Sequence, residues 1–136
     1  MGRESSVPRD MLAGLHALVV DDSPDARGLF RTILEYAGAL VTVAASAEHA
    51  LNVFDQAVAH VLITDIALPG HDGSWLIRQV RARSAKHGGR GPAIALMALS
   101  DDETKILSAG FQAYLAKPVD PWELCRLVES LLSQRS

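Results

Sequence analysis

The segment Ala17-Leu18-Val19-Val20-Asp21-Asp22-Ser23-Pro24 carries an apolar run straight into two carboxylates and then into a helix start. Two other runs end in the same way. His60-Val61-Leu62-Ile63-Thr64 meets Asp65, and Ala113-Tyr114-Leu115-Ala116 meets Lys117-Pro118. A buried charge is costly unless it is paired or bound to a metal. Three carboxylates and one ammonium at the C-terminal ends of strands therefore point to one shared site, at the edge where open parallel sheets bind ligands.

The apolar runs are rich in Val, Ile, Leu and Ala and do not alternate with polar residues, which suits strands covered on both faces. Strands are expected near 15–20, 40–45, 60–65, 93–99 and 112–116. Amphipathic stretches separate them. Ser23-Pro24 is a cap followed by proline at the first helical position, and Ala26, Leu29, Phe30, Ile33 and Leu34 form one inward stripe that stops before Gly38. Further helices start at Ser46, near Asp72-Gly73, over 101–109, and at Asp120-Pro121. The order β-α repeated five times calls for a doubly wound α/β fold with right-handed crossovers. The flavodoxin-like strand order 2-1-3-4-5 puts the switch point beside Asp21, Asp22 and Asp65.

The 136 residues suffice for one domain with a real core. Apolar residues make up 49% and charged residues 21%, a globular balance. A net charge of −3 gives no support for broad binding to nucleic acid or anionic lipid. Cys125 is the single cysteine, which rules out an intrachain disulfide and suits a reducing cytoplasm. No apolar run reaches membrane-spanning length, so no membrane insertion is expected. Residues 1–13 read as a disordered leader or linker and 14–134 as the domain.

Clustered carboxylates raise one another's pKa unless a cation neutralises them. Oxygen-only donors in an open site favour Mg²⁺. Taken alone, Asp21-Asp22 reads equally well as a loop start and Lys117 as a surface lysine. Their matching positions with Asp65 favour a site, in which Lys117 stabilises added negative charge. The residue before a proline is biased away from helix, so Lys117-Pro118 bends the chain.

The runs Leu18-Val19-Val20-Asp21-Asp22-Ser23-Pro24, Thr64-Asp65-Ile66-Ala67-Leu68-Pro69-Gly70-His71-Asp72-Gly73 and Tyr114-Leu115-Ala116-Lys117-Pro118 together resemble the receiver domain of two-component response regulators. The stretch from Ala109 to Pro121 is especially similar to receivers of hybrid histidine kinases. The resemblance implies Asp65 as phosphoacceptor and Lys117 as its partner. It also implies Mg²⁺ held by Asp22, Asp65 and the Ala67 carbonyl, with Asp21 acting largely through water. A histidine kinase or histidine phosphotransfer protein is the implied donor. A downstream protein would then dock on the face formed by the fourth helix, fifth strand and fifth helix. Pro69 and Gly73 shape the loop after the acceptor, and Tyr114 is the switch aromatic.

One position departs from the family pattern. Where the family carries Thr or Ser at the end of strand four, this chain has Met97, whose thioether donates no hydrogen bond. Met97 also stands where Tyr114 would rotate inward. Ala67 and Leu99 occupy positions that tune dephosphorylation in the family, and neither orients a water, so slow self-hydrolysis is expected. The stretch from Met97 to Lys117 is short for the family, which implies an abbreviated fourth helix. Met97 in place of the usual Thr or Ser admits an alternative, a receiver-shaped interaction module working without phosphorylation.

Rivals on the same fold fare worse. A dehalogenase-type phosphotransferase wants a second Asp where Ala67 stands. A nucleotide or flavin binder wants a glycine-rich phosphate loop after strand one, where Asp21-Asp22 would repel phosphate. His16, His49, His60, His71 and His87 show no metal-ligand spacing.

Overall fold

The computed structural model describes residues 7–133. Five strands, β1 (His16–Val20), β2 (Leu40–Ala44), β3 (Val61–Asp65), β4 (Ala93–Met97) and β5 (Ala113–Ala116), form one sheet in the order β2-β1-β3-β4-β5. Every pairing is parallel. Five helices alternate with them: α1 (Pro24–Tyr36), α2 (Ala47–Gln56), α3 (Gly73–Arg81), α4 (Glu103–Ala109) and α5 (Pro121–Ser133). The doubly wound architecture and its strand order agree with the sequence reading.

Strand side chains point alternately to the two faces, and each face is apolar. Leu18, Val20, Leu62, Ala93 and Ala95 pack with Ala50 and Phe54 of α2, Leu76, Ile77 and Val80 of α3, and Ile106 of α4. Ala17, Val19, Ile63, Ile94 and Leu96 pack with Phe30 and Leu34 of α1 and Leu124 and Val128 of α5. Burial on both sides explains why the strands read as continuous apolar runs.

The helix starts follow from local chemistry. Ser23 Oγ accepts the Ala26 N–H, Ser46 Oγ the His49 N–H, and Asp72 Oδ1 the Trp75 N–H, satisfying amide donors that the first turn leaves open. At α3 the glycine is a steric requirement. A Cβ on Gly73 would lie 2.5 Å from the Asp65 carbonyl oxygen, so α3 begins directly against the end of β3.

Three sequence expectations change. Strand four ends at Met97 rather than residue 99, because Asp101 Oδ2 takes the Ala98 N–H in a local turn and draws the backbone out of the ladder. That leaves Leu99 80% exposed. Leu29 is not inward but 50% exposed. Of the expected leader, residues 1–6 lie outside the described residues, while the chain from Val7 onward is packed. Val7 and Leu12 are buried with α1 and α5, the Leu12 N–H donates to the Ala37 carbonyl at 2.7 Å, and Arg9 lies over the Tyr36 ring. Gly38 makes this approach possible. Its φ is +103°, and a Cβ there would press on the Ala13 backbone at 3.1 Å.

Candidate functional site

The parallel register brings the ends of β1 and β3 side by side, since Val20 pairs with Thr64. Asp65 closes β3, and Asp21 and Asp22 follow β1 directly. Oxygens of Asp21, Asp22 and Asp65 all lie within 4.8 Å of one another. Asp21 and Asp65 are buried and Asp22 is exposed. Lys117 follows β5, and its N–H donates to the Met97 carbonyl at 2.8 Å, extending the ladder by one residue. Its Nζ reaches across the end of β4 and donates to Asp65 Oδ2 at 2.6 Å. The Lys117–Pro118 peptide is cis. All four charged residues expected at the site are thus brought together.

The second Asp65 oxygen is also engaged, Oδ1 accepting the Ala67 N–H at 3.1 Å. The Asp65 side chain is 5% exposed and that of Lys117 42%, so the carboxylate is enclosed while its cation reaches in from solvent. Burial pushes the Asp21 carboxyl pKa up. A hydrogen bond from the Ser23 N–H opposes this; repulsion from Asp65 and Asp22 adds to it, and Lys117 reduces it. The cluster stores unfavourable charge that one lysine only partly offsets. Its donors are all hard oxygens at one open edge, which fits a magnesium ion rather than a softer metal.

Two residues that hold this geometry escape a sequence reading. The Ser23 amide donates to Asp21 Oδ1, and Arg27 Nη1 donates to the Asp21 carbonyl at 2.7 Å. The only hint of the latter is an arginine in the first turns of α1. Leu29 is exposed because it borders a groove of about 250 Å³ beside Asp21 and Lys117, walled also by Phe30, Pro118 and Val119.

Met97 is buried at the end of β4, paired with Ala116 of β5. Tyr114 pairs with Ala95 and packs half-buried against the same core face. A hydrogen bond to the Glu103 carboxylate raises its phenol pKa, with burial adding to the effect. Ala67 and Leu99 are both exposed. Among the described residues no helix is long and apolar enough to cross a membrane.

The family model described as response regulator receiver domain matches residues 17–129. The chain is 47% identical over 120 residues to an uncharacterised 14.6 kDa protein from the sodA1 3′ region of Leptolyngbya boryana, covering 87% of this chain and 90% of that protein. It is 30% identical over 131 residues to the sensor histidine kinase GacS of Pseudomonas protegens, covering 93% of this chain but 14% of the kinase. Among solved structures, the receiver domain of the Francisella response regulator 1452 superposes with a TM-score of 0.80 at 30% identity, over 90% of this chain and all of that one.

Proposed function

The chain belongs to the response regulator receiver domain family, and from that premise we propose that Asp65 accepts a phosphoryl group from a phosphohistidine donor. One observation carries the reading. The carboxylate of Asp65 sits among two other carboxylates within 4.8 Å, yet holds the Lys117 ammonium at 2.6 Å. A carboxylate oxygen of Asp65 attacks phosphorus, the P–N bond to the donor imidazole breaks, and that nitrogen keeps the electron pair and takes up a proton. The product is an aspartyl phosphate.

Phosphoryl transfer asks the protein chiefly for positioning and charge neutralisation. The Ala67 amide and the end of β3 orient Asp65. Lys117, half-exposed on a flexible stem, passes from the carboxylate to a phosphoryl oxygen as the charge moves outward. Mg²⁺, held by Asp22, Asp65 and the Ala67 carbonyl with Asp21 acting through water, would supply the remaining neutralisation of phosphoryl charge. The donor is a histidine kinase or histidine phosphotransfer protein. The face of α4, β5 and α5 serves a downstream protein, with neither nucleic acid nor membrane as partner. A cytoplasmic setting suits both partners. The exposed, apolar Ala67 and Leu99 do not orient an attacking water, so the aspartyl phosphate persists for minutes or longer. A lifetime of seconds after donor removal would contradict this.

Intact mass after incubation with Mg²⁺ and acetyl phosphate tests the reading. A labile adduct on wild type and none on Asp65→Asn is the expected result. Absence of an adduct from both acetyl phosphate and a phosphohistidine protein, with Mg²⁺ binding established, would favour a second reading. In that reading the domain is a receiver-shaped interaction module that works without phosphorylation. The specific observation behind it is Met97, which fills the end of β4 with a buried thioether in place of a hydroxyl.

A further inference from the structure

Between Asp72 and Asp101 the sequence holds no carboxylate side chain. The chain as a whole carries 13 Lys and Arg against 16 Asp and Glu, yet five of those cations, Arg78, Arg81, Arg83, Lys86 and Arg90, fall in this acid-free stretch. Three of them have local tasks. Arg78 and Arg81 sit in the last turn of α3, where cations complement the helix dipole. Arg81 Nη1 also donates to the Gly89 and Gly91 carbonyls at 3.0 and 2.8 Å. Arg83 grips Asp55 through Nε and Nη2 at 2.9 and 2.7 Å. These bonds hold the loop between α3 and β4 in place. Lys86 and Arg90 lie on that loop and are exposed, as is His87 between them.

The loop walls a groove of about 300 Å³. Ala59 and His60 stand just before β3, Pro92 just before β4 and Leu132 near the end of α5. The groove therefore opens at the edge of the sheet opposite to Asp21, Asp22 and Asp65. Ala59, Pro92 and Leu132 give it an apolar wall, and the polar side chains lining it are His60 and Arg90. Both are donors. His60 Nδ1 accepts the His16 N–H at 2.9 Å, which places the proton of the neutral ring on Nε2, and a guanidinium has no acceptor. Val58, 42% exposed, extends the apolar surface beside the loop. A Cβ on Gly88 would lie 2.5 Å from Val58 Cγ1, so glycine lets the loop lie against it.

We propose that this groove docks an acidic segment of a partner protein. An apolar side chain enters against Ala59, Pro92 and Leu132, while carboxylates meet Lys86, Arg90 and His60. An apolar centre with a charged rim is the ordinary anatomy of a protein interface, and the rim's single sign selects a partner of the opposite one. Nucleic acid fits less well, because the cations ring a short groove rather than tracking a backbone, and no Phe, Tyr or Trp lines it to stack a base. The length of β3, about 16 Å of strand, separates the groove from Asp65. Docking is thus independent of chemistry at the acidic edge and leaves that edge open.

Fluorescence anisotropy with a dye-labelled peptide of repeated Glu-Glu-Leu units tests this on the full chain, with a cooperative melt confirming that each variant is folded. Wild type should bind the peptide, and raising salt from about 50 to about 500 mM should weaken binding without abolishing it, since apolar contact is not screened. Arg90→Glu and Lys86→Glu should each weaken binding about tenfold or more. Lys105→Glu, the same charge change at an exposed position on α4, should alter it less than about twofold. A peptide with serine in place of each leucine should bind about tenfold more weakly. Asp65→Asn should bind as wild type does, which separates this site from the acceptor reading. Absence of binding, an equal loss from Lys105→Glu, or a serine peptide that binds as well as the leucine one would each overturn the proposal. Tighter binding of single-stranded RNA or of phosphatidylglycerol vesicles than of the peptide would overturn it as well.

Discussion

Asp21 is the residue at which folding and function pull apart. Its folded pKa lies above the ordinary value of 3.8, chiefly through burial. A carboxylate raised in this way is protonated in both states at low pH. As pH rises through 3.8 toward the folded pKa, the unfolded chain loses its proton first and stability falls. Asp21→Asn should therefore raise the melting temperature at neutral pH without divalent metal, by about 3 °C or more, with the gain shrinking as pH falls toward 4. A scan of melting temperature against pH in chelator checks this, and an equal effect at every pH would show that charge is not the cause. Met97 poses the opposite trade. If Asp65 is the phosphoacceptor, as proposed above, Met97→Thr puts a hydroxyl donor at the end of β4, one residue beyond the Leu96–Asp65 pair, and one charge-assisted bond of about 1.5–3 kcal/mol would shift phosphoryl-state occupancy about tenfold or more. The same change hollows the core and costs about 2 kcal/mol of stability. Phosphorylated fraction under limiting acetyl phosphate and urea unfolding measure the two effects separately, and an unchanged fraction would remove Met97 from the account.

At the scale of elements, helix starts are the most legible features because they are local. Ser23, Ser46 and Asp72 each cap the helix that the sequence places after them, with side-chain oxygens 2.8–3.2 Å from the amides they accept. Ends set by competing side chains are harder to read. The Asp101–Ala98 bond shortens β4 by two residues against an apolar run that continues through Leu99. The segment from Val7 to Ala13, expected within a leader or linker, packs against the domain. Polar neighbours mask an apolar set, Val7, Met11 and Leu12, that covers α1 and α5. Leu12→Ala should cost about 3 kcal/mol, as for a fully buried leucine rather than a leader residue. Denaturant unfolding decides the matter, and a loss under about 0.5 kcal/mol would return the segment to the status of a leader.

Across the whole molecule the acidic site and the core answer to one sheet. Any ligand that binds only the folded protein stabilises it by mass action, and Mg²⁺ at about a hundredfold excess over its dissociation constant should contribute about 2.7 kcal/mol. Asp22→Asn should abolish that gain while leaving the metal-free melt nearly unchanged, because Asp22 is exposed. A Mg²⁺-dependent shift that survives in this variant would place the ion elsewhere. The sequence by itself determined the number and order of strands and helices and the shared edge of Asp21, Asp22, Asp65 and Lys117. Apolar runs, caps and charges at run ends are local signals, and a parallel alternation leaves few topologies open. Tertiary structure alone decided the Lys117–Asp65 contact across β4, Arg27 on the Asp21 carbonyl, the hydrogen bonds from Arg81 to the Gly110 carbonyl and the packing of Leu12. Three of these join a charged side chain to a carboxylate or a main-chain carbonyl, and Leu12 meets apolar side chains from helices distant in sequence. A carbonyl carries no signature in the sequence, so only the fold reveals which side chain it meets.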